Sequence, residues 1–280
     1  MSLIIDNKRN GEDSPNGTHK NQSPDLKSLI YYHRAYRKIS NPGRYILLKS
    51  LILIAPFLVA ILLIYPELTF IMNKFARYTL ISSFSSDSIE ILNKPYMLRN
   101  IYILDSPTKY PSPLFTYIIF LLSLPGIVLI RKIKIVKPIA LWIAFLSFIN
   151  LLSSIFFILA PALFPYNAEE FSDLYIKTQI NIWLFIPVIM GIALLPLPSG
   201  HLPKFLVISA TILYSVIFGI VRYGVFLYII AKFSLLFMPI LFFSFGPLMD
   251  FFYIVSGYSL YVSILSKKAG RDLKAWNWLY

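Results

Sequence analysis

The sequence predicts an all-α polytopic integral membrane protein with about six transmembrane helices and both termini in the cytoplasm. Three observations carry that reading. The 280 residues are 57% apolar, and the mean hydropathy is +0.68. Charged residues make up 14% of the chain, where a soluble domain carries about 25%. The apolar residues fall in runs long enough to cross about 30 Å of hydrocarbon, which takes about 20 helical residues. Length alone allows one or two globular domains. A chain with so few charges has no polar surface with which to cover its Leu, Ile and Phe, so lipid must do it.

Taken in order, residues 1–44 form a polar, basic cytoplasmic segment, partly disordered. Its opening run Leu3-Ile4-Ile5 is too short for the apolar core of a signal peptide, and Asn7–Ser23 is rich in Asn, Gly, Ser and Asp. Asp25–Ile39 interleaves Lys27, Arg34, Arg37 and Lys38 with Leu26, Leu29, Ile30, Tyr31 and Tyr32. Next to a first span, that pattern suits a segment lying on anionic lipid headgroups at the cytoplasmic face, and not nucleic acid. A transmembrane domain follows over 45–265. Its spans are expected at Tyr45–Tyr65, Pro113–Ile130, Pro138–Leu163, Ile180–Leu197, Phe205–Ala231 and Ser234–Leu265. The outer loop 66–112 reads as an amphipathic cap, with strand character at Leu98–Leu104. Residues 266–280 form a cytoplasmic amphipathic tail with Trp276, Trp278 and Tyr280 as interfacial anchors.

Charge orients the set. Eighteen of the 26 Lys and Arg fall in the pieces that this topology keeps inside, with Arg131-Lys132-Ile133-Lys134 the densest cluster, as the positive-inside rule requires. A seven-span alternative divides Phe205–Leu265 into three short helices with a turn at Arg222. It leaves Lys267, Lys268, Arg271 and Lys274 outside, against that rule.

Arg222 and Asp250 are the sharpest local feature, one charge of each sign on consecutive apolar spans. Ionisable groups in hydrocarbon are costly and face partners or water. At 1.5 Å per residue the two lie about 10 Å apart in depth, at the limit of reach. Gly246-Pro247 should break the last helix just before Asp250, which can bring them into register. Together with Tyr223 and Tyr253 they read first as a structural pair and second as an intramembrane polar site for a substrate or a proton. Asn150, Ser153 and Ser154 share one helix face and read as packing glue. Glu169, Glu170 and Asp173 form an outer acidic loop, solvated or at most a weak site for a divalent ion. His201 reads as a solvated residue in a tight turn.

Several chemistries are excluded. The chain has no cysteine, hence no thiol nucleophile, disulfide or thiolate metal site. His19, His33 and His201 are scattered, and no phosphate-binding, zinc-protease or nucleophile-elbow motif occurs. No cofactor and no metal is expected. The multi-span shape with a late intramembrane arginine resembles membrane-embedded transpeptidases of the exosortase type. Those act through a cysteine, so neither their activity nor their residues carry over. The first expectation is therefore a non-catalytic integral subunit that scaffolds or anchors a membrane complex with other membrane subunits, in a bacterial inner or plasma membrane. The alternative is a small polytopic transporter or lipid-substrate membrane enzyme using the Arg222/Asp250 site.

Overall fold

The computed structural model describes residues 46–85, 88–128, 137–197 and 199–271. The N-terminal segment, the basic cluster 131–136 and the tail aromatics lie outside the described residues.

Helix α1 spans Ile46–Ile81, about 54 Å at 1.5 Å per residue. The sequence expectation ended this span at Tyr65. The helix instead continues because Tyr65, Thr69, Met72, Ala76 and Leu80 recur at three- and four-residue spacing, and all are buried. That stripe needs an apolar mate, and the outer segment supplies one. Strands β1 (Glu90–Tyr96) and β2 (Arg99–Asp105) pair antiparallel from Glu90↔Asp105 to Tyr96↔Arg99, so the fold is mostly rather than wholly helical. Ile101, Ile103 and Leu104 of β2 are fully buried. The Met97-Leu98 turn holds Met97 at φ 49°. Tyr65 secures the turn: its hydroxyl donates to the Tyr96 carbonyl at 2.7 Å and accepts the Arg99 N–H at 2.7 Å. The Asn73 amide donates to the Tyr102 carbonyl at 2.6 Å.

Helix α2 (Pro113–Val128) is apolar but only 16 residues long, and it packs on α3 (Lys137–Leu159). Helices α4 (Ala168–Leu194) and α5 (His201–Lys232) pack against each other and against α1. His201 is the first residue of α5 rather than part of a turn. The rest is a broken span: a single turn Leu235–Phe237, then α6 (Met238–Phe245) and α7 (Pro247–Arg271). Ser153 of α3 donates to the Leu236 carbonyl at 2.8 Å, so the serine cluster does tie helices together.

Among the described residues, five segments are long and apolar enough to cross a membrane: α1, α3, α4, α5 and the broken segment Leu235–Lys267. The chain is thus polytopic, with α2 as a shorter apolar helix. Leu51, Leu63, Leu121, Leu141 and Leu213 point outward, more than half exposed, as a lipid-facing surface should. The turn at Arg222 that a seven-span division needs does not exist, since α5 runs unbroken through that residue.

The break at Gly246 has a local cause. Pro247 takes the first position of α7, where its missing N–H costs no hydrogen bond. Gly246 closes α6 by donating to the Phe242 carbonyl at 3.1 Å, and a Cβ there would collide with that same oxygen. Gly246→Ala should therefore destabilise the protein by roughly 1–3 kcal/mol. Thermal unfolding in detergent, followed by intrinsic fluorescence, checks this; an unchanged midpoint would show that the break tolerates a side chain.

Candidate intramembrane polar site

Three helices contribute faces. On α4, Ser172, Tyr175 and Gln179 follow one another at three and four residues, so they share one side. On α5, Thr211, Ser215, Gly219 and Arg222 do the same. Asp250 lies in the first turn of α7.

Arg222 is where the faces meet. Its Nε donates to the Tyr175 hydroxyl at 2.7 Å. Nη1 donates to the carbonyls of Phe245 and Gly246, at 3.0 and 3.1 Å. Nη2 donates to Gln179 Oε1 at 2.7 Å and to Asp250 Oδ2 at 2.9 Å. A guanidinium has five N–H donors, and here each has its own acceptor. The Tyr175 and Phe218 rings cover it, with centroids 5.4 and 5.2 Å from Cζ. The Arg222 and Asp250 side chains are 4% and 3% exposed.

The break at Gly246 makes this possible. The end of α6 leaves the Phe245 carbonyl without a helical partner, the Gly246 carbonyl also accepts the Met249 and Asp250 N–H groups at 3.0 and 3.3 Å, and a cation at a helix C-terminus gains from the dipole. The start of α7 offers the opposite pole to Asp250. One interruption in the chain therefore serves both charges.

Around the pair, Tyr175 donates onward to the Gly219 carbonyl at 3.2 Å, and the Gln179 amide meets Ser215 Oγ at 3.4 Å. Gly219 lets the Gln179 carboxamide lie close to α5: a Cβ there would stand 3.0 Å from the carboxamide carbon, and Gln179 would have to shift. Ser215 Oγ and the Tyr253 hydroxyl lie 2.5 Å apart. The Tyr253 hydroxyl therefore stands between two groups, hydrogen-bonded with Ser215 Oγ and turned towards the Asp250 carboxyl. Asp250 Oδ1 has no hydrogen-bond partner among the described residues.

Beside this centre lies a cavity of about 780 Å³ between α5 and α7. Val207 and Ile264 line it towards the His201 end of α5, and Phe218, Met249 and Tyr253 line it at the polar site. Along the helices it extends about 16 Å on α5 and 22 Å on α7. Phe218 and Tyr253 belong to both the cavity wall and the polar centre.

The other candidates separate. Tyr223 bonds to neither Arg222 nor Asp250. Its hydroxyl donates to Asn73 Oδ1 at 2.8 Å and is hydrogen-bonded with Ser172 Oγ, which accepts the Leu104 N–H at 2.8 Å. Tyr223 thus joins α5 to α1, α4 and the hairpin, and stacks on Tyr175 with ring centroids 5.2 Å apart. The acidic residues belong to the first turns of α4, not to a loop. Glu170 forms a capping box with Asn167. Glu169 pairs with Lys94 of β1 at 2.7 Å, and that hydrogen bond raises Lys94 above the usual lysine range. Asp173 pairs with Lys177 at 2.7 Å. No group of three or more His, Asp or Glu among the described residues is placed to hold a metal ion.

Sequence reasoning passes over Tyr175, Gln179, Ser215 and Phe218. The spacing of Ser172, Tyr175 and Gln179 along an apolar helix was the available signal. It also overlooked Lys204, which is buried and donates to the Leu195 carbonyl at 2.9 Å.

No family model, no curated protein and no solved structure matches this chain. The site's geometry is therefore what a functional reading rests on. Asp250→Ala would leave a buried guanidinium without its counter-charge, at an expected cost of about 3–5 kcal/mol. Gln179→Leu removes a neutral acceptor and should cost less, about 1–3 kcal/mol. Parallel detergent melts of both variants test the order, and a reversed order would deny the ion pair its central place.

Proposed function

We propose that this protein handles a lipid-type substrate within the bilayer, taking its chain into the cavity between α5 and α7 and its polar end to the Arg222/Asp250 centre. The observation that carries this reading is an apolar cavity that shares Phe218 and Tyr253, two residues of its wall, with a buried ion pair. Ligand sites are mostly apolar with a few placed polar groups, and ionisable residues inside a membrane mark functional sites by default. A purely scaffolding subunit, the first expectation from the sequence, needs neither feature. In the six-span topology with cytoplasmic termini, the cavity opens from mid-membrane towards the cytoplasmic leaflet, where the basic segments gather anionic headgroups.

Movement of such a lipid between leaflets is the activity that this arrangement supports best. A second reading, chemistry on the lipid, is favoured by one contact. Ser215 and Tyr253 share a hydrogen bond beside a carboxylate, an arrangement through which a proton can pass.

Reconstitution with a photoreactive fatty-acyl probe tests the proposal. Label should map to peptides of α5 and α7 that line the cavity. Ala210→Trp, which places an indole in that cavity, should reduce labelling about tenfold while the protein stays monodisperse. Label spread evenly over all helices, unchanged by Ala210→Trp, would sink the reading. Recovery of the probe intact but redistributed between leaflets supports transport, and recovery of an altered probe supports catalysis.

A further inference from the structure

We infer that the lipid taken by this cavity ends in a neutral hydroxyl, such as a long-chain alcohol, and not in an anionic headgroup. The inference rests on the lipid reading above and adds the chemistry of the polar end.

An intramembrane arginine invites an anion, but this one has nothing left to offer. Each N–H of Arg222 already donates to Tyr175, Gln179, Asp250 or one of the two carbonyls that end α6. A phosphate or carboxylate would have to evict one of these and leave it unpaired in a low-dielectric interior, a penalty that disfavours binding. The group left open is an acceptor. Asp250 Oδ1 is buried and without a hydrogen-bond partner among the described residues. Two residues of the cavity wall, Met249 and Tyr253, flank it on α7. The site therefore recognises a donor.

Charge decides which donor. Arg222 and Asp250 balance each other, and the groups packed around them, Tyr175, Gln179, Ser215 and Tyr253, are uncharged side chains. An ammonium headgroup would add an uncompensated charge to that pair, which is costly away from water. A hydroxyl adds none. It can donate to Asp250 Oδ1 and accept from the Tyr253 hydroxyl, which in its absence stands between Ser215 and the Asp250 carboxyl. The chain of the alcohol then follows the apolar wall towards Val207 and Ile264.

The test is competition in vesicles holding the full-length protein. The photoreactive fatty-acyl probe is displaced by hexadecanol, hexadecyl phosphate or hexadecylamine, which share one chain and differ in the end group. Hexadecanol should compete about tenfold better than either charged analogue, and Asp250→Asn should erase that preference. If the phosphate or the amine matches or exceeds the alcohol, the inference fails while the lipid cavity stands. If no analogue displaces the probe, the cavity reading fails and takes the inference with it. An alcohol preference that survives in a folded Asp250→Asn protein would remove that carboxylate as the acceptor. The ranking in the unsubstituted protein decides the matter even if this variant does not fold.

Discussion

A guanidinium buried among apolar helices must satisfy five donors at once, and Arg222 does so by drawing on three helices and one chain break. Tyr175 and Gln179 come from α4, Asp250 from α7, and two carbonyls from the end of α6. The five acceptors arrive on three pieces of backbone, so the relative positions of these helices are set jointly. Left unpaired, the cation would be too costly to bury. The interruption that Gly246-Pro247 makes in the last apolar segment serves this need, since an unbroken helix would keep the Phe245 carbonyl for itself.

The break also separates two roles that the sequence places within a few residues of one another. The guanidinium and one carboxylate oxygen are structural, fully engaged inside the protein. The other carboxylate oxygen lies behind the cavity wall, next to Tyr253, which belongs to that wall. An ion pair can thus hold helices in register while leaving one acceptor for something else. That division of labour is what gives the lipid-handling reading its chemistry.

The hairpin and the extended end of α1 form a second structural centre around Tyr223, Asn73 and Ser172. Its hydrogen bonds run to backbone groups of β2 at Leu104 and Tyr102. The exposed polar groups of a two-stranded ribbon would be a liability at a membrane surface, and buried side chains from α1 and α4 answer them. The charges at the start of α4 serve the same cap: Glu169 reaches Lys94, and Glu170 closes the helix end.

Several features were legible in the sequence because they depend on composition and on local backbone rules. The apolar runs announced membrane helices, since no other solvent accepts that surface. Gly246-Pro247 announced the break, since proline cannot continue a helix, and with it the means to bring Arg222 to Asp250. The strand near Leu98–Leu104 showed in its alternation. Other features needed the tertiary structure. Tyr223 sits one residue from Arg222 yet faces a different network, because adjacent helical residues point about 100° apart. The helical run past Tyr65 is stabilised by a hairpin more than twenty residues away. Gln179 and Ser215 carry no charge to mark them, and Gln179 meets both Arg222 and Ser215 only when α4 and α5 pack. The sequence by itself determined the solvent of this protein and the places where its helices can start and stop. Which side chains meet was decided by packing alone, because it depends on the mutual rotation and depth of helices that no local rule specifies.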